Sequence, residues 1–126
     1  MPPVDPFEAH LEYVEKFKKA VLLVAGAAVQ KLMQSLAKEQ EVLMRIADMM
    51  IWTYTAESLV LRVQKLACQR GEDAVAHEMA MMKVYCYEVA ERMHSAGKEA
   101  LLAFAEGDEL KGMLMGLKRF TKTEPF

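Results

Sequence analysis

Proline is missing from the whole middle of this chain. Its four prolines stand at positions 2, 3, 6 and 125 of 126 residues, and only six glycines are spread along it. Nothing there breaks a helix by ring geometry, so long helices can run uninterrupted. Charge of one sign is also lacking: 16 Lys and Arg stand against 18 Asp and Glu, a net charge of -2. A nucleic-acid-binding module would carry a basic excess, so that class is excluded. Cysteine is sparse. Cys68 and Cys86 lie 18 residues apart with no C-x-x-C, which signals neither a zinc site nor a dithiol redox motif and reads as reduced thiols of a cytosolic protein. The longest apolar run, "AVLLVAGAAV" from Ala20 to Val29, spans about 15 Å as a helix, half of a hydrocarbon core. The opening "MPPVDPFE" has neither the basic nor the apolar region of a signal peptide. Strand alternation, internal repeats, G-x-S-x-G and phosphate-cradling glycine loops are absent as well.

What is present is helical periodicity in a chain that is 53% hydrophobic and 27% charged, enough to build one core and too apolar for disorder. The first helix is expected to start at "DPFE", with Asp5 as cap, Pro6 at the first helical position and Glu8 completing a capping box. Its apolar stripe reads as Phe7, Leu11, Val14, Val21, Ala25, Ala28 and Leu32, with Lys18 filling the one gap. It ends between Ser35 and Lys38, where no glycine or proline marks the break. The second helix is expected over about Lys38–Gln69, stopped at Gly71. A third covers about Asp73–Ala105 with Met79, Met82, Cys86, Val89, Met93, Ala96 and Ala100 inward, and a short fourth covers about Asp108–Phe120. The predicted fold is all-α: an elongated up-down bundle of three long helices, each roughly 45 Å, plus a short fourth helix. Residues 1–126 form a single domain, with 1–6 linker-like and 121–126 a polar tail.

Two acids in the apolar stretch "IADMMIWTYTAES" raise the question of chemistry. At about 100° per residue, Asp48 and Glu57 point to opposite sides of their helix and cannot pair as catalytic carboxylates. Asp48 falls in a polar stripe with Glu41, Arg45, Trp52, Thr55 and Arg62, where Arg45 can pair with it. Glu57 shares its side with Leu43, Ile46, Met50, Thr53, Tyr54, Val60 and Leu61, the core side or one that a partner covers. A carboxylate there needs a partner. Lys31, Arg92 and His94 are the cations expected to reach it. The small residues of "VAGAA", centred on Gly26, predict close approach of another helix. A di-iron bundle needs two Glu-x-x-His motifs, and only Glu91-Arg92-Met93-His94 is present. His10 and His77 have no Glu three residues before them, so no metal is predicted. Cys86 reads as a small core residue. The eleven methionines read as core filling, with a partner surface as the other option. Lys16, Lys18 and Lys19 beside Phe17 carry a membrane-surface signal that Glu12 and Glu15 dilute.

The words "AGAAVQK", "EQEVLMRIADM" and Y-x-A-E-S with the following Arg62, together with "AHEMAMMKVYCYEVAERM", resemble the C-terminal helical extension of acyl-CoA dehydrogenases of the very-long-chain type and their bacterial relatives. The resemblance covers most of the chain. It implies a parent flavoenzyme of fatty-acid β-oxidation, in which a glutamate base removes the α-proton of an acyl-CoA thioester and FAD takes the β-hydride. The family's catalytic glutamate and flavin-contacting segments match nothing here, so the resemblance implies no catalytic, cofactor-binding or metal residue in this chain. It implies instead a non-catalytic domain that packs on the parent's catalytic core, in a bacterial cytoplasmic homodimer with some membrane-surface contact. "MPPVDPFE" would then be a linker from that core. Glu57, Arg45, Asp48, Arg62 and Gly26 are the structural and interface candidates. The alternative is a free-standing helical-bundle interaction protein.

Overall fold

A computed structural model describes residues 5–33, 35 and 39–123. Four helices follow one another: α1 (Pro6–Leu32), α2 (Gln40–Arg70), α3 (Ala76–Phe104) and α4 (Gly107–Phe120), with a 3-10 turn at Glu72–Val75 before α3. No strand occurs among the described residues. The start of α1 follows its sequence signal, though among the described residues no bond from Glu8 completes the expected capping box, and α2, α3 and α4 start without a side-chain cap. Asp5 Oδ1 accepts a hydrogen bond from the Phe7 N–H at 3.0 Å, with Pro6 in the first turn. Gly71, at φ 86°, ends α2 in a conformation that costs glycine little. The end of α1 has no such residue. Met33 makes that turn at φ 46°, its N–H reaching Val29 O, and residues 36–38 of the predicted break lie outside the described ones.

Cross-helix contacts set the topology. Glu57 of α2 meets Lys18 of α1, and Arg45 of α2 meets Glu99 of α3. Lys31 of α1 meets Glu109 of α4, and Thr121, just past α4, lies 3.4 Å from His94 of α3. The helices therefore run up, down, up, down, and α4 lies antiparallel to both α1 and α3. With 14 residues against 27 in α1 and 29 in α3, it covers only part of the groove between them.

The core is built from small and flexible side chains. Val14, Phe17, Ala20 and Val24 of α1, Met49, Ala56 and Val60 of α2, and Met82, Val89 and Met93 of α3 are all fully buried. Thr53 is the polar exception in α2. Its hydroxyl donates to Met49 O at 2.8 Å and lies 3.3 Å from Met93 Sδ, so it is satisfied inside the bundle. His10 is buried too, its Nδ1 2.6 Å from Pro6 O, and burial holds its pKa below the usual value.

The α1 stripe differs from its sequence expectation. Phe7, Val14 and Ala28 are inward as predicted, but the buried line continues through His10, Phe17, Ala20, Val24 and Ala27, while Leu11, Val21, Ala25 and Leu32 are only half-buried. Lys18 is accordingly no gap in the core. The run from Ala20 to Val29 is apolar on every side, so periodicity alone does not choose its inward face.

Burial also separates the two thiols. Cys86 is in the core, and burial pushes its pKa from 9.0 up to about 11; Cys68 is exposed. Such a thiol holds about 100-fold less thiolate near neutral pH, and thiolate is the reactive species. Titration of the folded protein with an aromatic disulfide at about pH 8 is expected to release one thiol per chain quickly. The second is expected only after denaturant is added. Two fast thiols would mean that Cys86 is not inside.

Candidate interaction surface

The outward sides of α1 and α2 carry apolar residues that the bundle does not use. In α1, Leu22, Gly26, Val29 and Met33 recur at helical spacing and are all exposed. In α2, Leu43, Met50, Tyr54 and Leu61 do the same. Leu22 is 71% exposed, Tyr54 73% and Met50 57%. These three meet with Val21, Thr53, Lys18 and Glu57 around one open hollow of about 330 Å³. Monomeric proteins rarely leave contiguous apolar strips in water without a use for them.

Glu57 closes one end of that hollow. Its Oε2 lies 2.6 Å from Lys18 Nζ, and Lys18 also reaches Glu15 Oε1 at 3.1 Å. The two carboxylates hold the Lys18 ammonium above its usual pKa, Glu57 contributing more than Glu15. The partner of Glu57 is thus Lys18 and none of the cations expected from sequence. Lys31 pairs with Glu109 at 3.2 Å, His94 faces Thr121, and Arg92 is exposed on α3. The side of α2 that carries Glu57 is split. Thr53 and Val60 are buried and Ile46 half-buried, while Leu43, Met50, Tyr54 and Leu61 face outward.

The other sequence-selected residues are dispersed. Arg45 pairs with Glu99, 2.8 Å from Nε to Oε2, and its approach to Asp48 is the looser one, 3.9 Å from Nη1 to Oδ2. It mainly ties α2 to α3. Arg62 is exposed, with no ion pair among the described residues. Gly26 is exposed, and a Cβ built on it would meet nothing within 4 Å. Of the small stretch around it, Val24, Ala27 and Ala28 face the core, while at Gly26 itself no described residue comes close. A close approach occurs at Gly97, whose added Cβ would lie 2.8 Å from Leu117 Cδ1. The methionines divide between core and surface: Met49, Met82 and Met93 are fully buried, whereas Met33, Met44, Met50, Met81 and Met115 are exposed. Phe17, the apolar anchor of the membrane-surface expectation, is inside the core, and no described helix is long and apolar enough to cross a membrane.

Sequence reasoning missed Lys18, Leu22 and Val29 as members of this surface. The signal was a second line at helical spacing, Leu22, Gly26, Val29 and Met33, interleaved with the core line in the same apolar run.

Residues 16–119 match the family model of the acyl-CoA dehydrogenase C-terminal domain. A Bacillus subtilis (strain 168) protein described as a probable acyl-CoA dehydrogenase is 33% identical over 127 residues, an alignment that covers 98% of this chain and 21% of the relative. The crystal structure of a Bacillus anthracis acyl-CoA dehydrogenase complexed with FAD superposes with a TM-score of 0.92 at 35% identity, covering 100% of this chain and 22% of that one. The chain thus spans about one-fifth of the relatives it matches.

Proposed function

Because this chain belongs to the acyl-CoA dehydrogenase C-terminal domain family, we propose that it is the non-catalytic helical domain of an FAD-dependent acyl-CoA dehydrogenase. Its role is to pack against the catalytic core and support a homodimeric enzyme of bacterial fatty-acid oxidation. The observation that carries the reading is the unused apolar strip around Leu22, Met50 and Tyr54 on a bundle whose interior is otherwise filled. Each large side chain buried there on docking contributes about 1.5–3 kcal/mol. Gly26 fits the same reading. A glycine inside a helix costs about 1 kcal/mol relative to alanine, and here no neighbour within the chain requires it. On a docked face it lets the core's backbone come close.

The residues present do not fit a flavin. The inward positions are filled by Val, Ala, Met and Phe side chains at 0% exposure, and no glycine turn follows a strand among the described residues. FAD supplies the hydride acceptor in the parent enzyme, and no step of that chemistry runs through this chain. Glu57, fixed by the Lys18 ammonium, serves as an orienting charge at the strip's edge. Exposed Cys68 suits a reducing cytoplasm.

The test is the double variant Leu22→Asp/Tyr54→Asp in the dehydrogenase that carries this domain. Two charges placed in a buried apolar contact are expected to weaken association of the domain with the core at least 100-fold. Light scattering of the assembly and flavin absorbance would report the loss, while circular dichroism of the domain stays unchanged. Normal assembly and flavin content in the variant would overturn the reading. Folded, monomeric behaviour with no affinity for any dehydrogenase core would favour a free-standing interaction protein.

A further inference from the structure

A different surface carries a second binding property. Where α4 ends on the α1/α3 groove, a hollow of about 340 Å³ shares Lys122 and Thr123 with one of about 380 Å³ on its α1 side, and His94 and Lys118 with one of about 230 Å³ on its α3 side. Cations come to them from separate elements: Lys16 from α1, Lys98 from α3, Lys118 and Arg119 from α4, and Lys122 just beyond it. None of these five has an ion pair among the described residues, whose basic partners are only Lys18, Lys31 and Arg45. Among the described residues one acid, Glu91, lines the same hollows. A chain of net charge -2 thus gathers five cations, unpaired among the described residues, where α4 stops alongside the middle of α1 and α3.

Helix-terminal electrostatics explains part of this. Cations suit the last turn of a helix, and Lys118 and Arg119 stand in the last turn of α4. That argument does not reach Lys16 or Lys98, which come from the middle of α1 and from α3. We infer that this junction of α4 with α1 and α3 binds a soluble metabolite carrying two or more phosphate groups. Several lysines around a concave site act as point charges on phosphate oxygens, and a single carboxylate would leave most of them unneutralised. The two larger hollows match the size of small-molecule sites. They are walled by tyrosines, Tyr13 and Tyr87, and by Thr123, a recessed arrangement unlike the outward face of a helix lying on a lipid surface.

The proposal stands apart from the docking strip and is tested separately from it. Calorimetric titration of the full chain at low salt would use inorganic pyrophosphate, ADP and inorganic phosphate as probes. Saturable 1:1 binding of pyrophosphate and ADP is expected, at least tenfold tighter than phosphate, and falling as salt rises. Lys118→Glu/Lys122→Glu, and independently the milder Lys16→Gln/Lys98→Gln, are expected to weaken it at least tenfold with unchanged helical circular dichroism. Leu22→Asp/Tyr54→Asp should leave it intact. No 1:1 binding of either diphosphate would overturn the inference. So would equal binding by both lysine variants, or sedimentation with anionic vesicles without affinity for the soluble diphosphates.

Discussion

Phe17→Ala is expected to lower the unfolding free energy by about 3–5 kcal/mol, the usual cost of removing a fully buried phenyl ring from a core that relaxes only partly. A domain of this size holds roughly 5–15 kcal/mol in all, so this one change takes a large share. Phe17 has no exposure and sits in the α1 line with Val14, Ala20 and Val24. Val21, four positions on, is half-buried, and Val21→Ala is expected to cost about 1 kcal/mol. The pair discriminates between two rotations of α1. Had Val21 and a tolerated Lys18 faced the core, as the simplest periodic reading of the sequence has it, the order of the two effects would reverse. Urea unfolding followed by far-ultraviolet circular dichroism gives both numbers on one scale. A larger loss for Val21→Ala than for Phe17→Ala would mean that α1 is turned about its axis relative to this structure, and Leu22 would lose its place on the docking strip.

This dependence shows where the sequence was readable and where it was not. Helix number, order and most boundaries followed from local chemistry: Asp5-Pro6 opens α1, Gly71 closes α2, and the α3 stripe from Met82 to Ala100 is buried as its spacing demands. Those signals act within one or two turns, so they survive without tertiary knowledge. Rotation of α1 did not follow, because "AVLLVAGAAV" offers apolar atoms to every direction and only packing against the other helices of the bundle selects one. The partner of Glu57 failed for a related reason. The presence of a cation was a matter of electrostatics, whereas its identity depended on which α1 residue stands level with position 57, a register that no local signal encodes. The break after Leu32 lacked any glycine because Met33 itself takes the positive φ. The cationic patch where α4 stops was invisible for the plainest reason: Lys16 comes beside Arg119 and Lys122, and Lys98 beside Lys118, only when α4 folds back.

Leu117→Ala is expected to cost about 2–5 kcal/mol and to act mainly on α4. Leu117 is the one residue within α4 that is buried, and it fills the space left by Gly97 on α3. A Cβ at position 97 would lie 2.8 and 2.9 Å from the two Leu117 methyls, inside any real contact distance. Gly97→Ala therefore combines two opposed effects. Alanine improves the helix by about 0.8–1.0 kcal/mol, and overpacking against the fully buried Leu117 costs about 1–3 kcal/mol. The second is the larger in the native background, so a net loss of up to about 2 kcal/mol is expected. In the Leu117→Ala background the opposing methyls are gone, and the same Gly97→Ala change is expected to stabilise by about 1 kcal/mol. A double-mutant cycle read by denaturant unfolding should thus give a coupling of about 1–3 kcal/mol with a reversal of sign. An identical effect of Gly97→Ala in both backgrounds would show that α3 and α4 do not touch there. The cycle also bears on binding. Lys118, Arg119 and Lys122 reach the hollows beside Tyr87 only while Leu117 holds α4 in the groove, so Leu117→Ala should weaken pyrophosphate binding without altering a single cation.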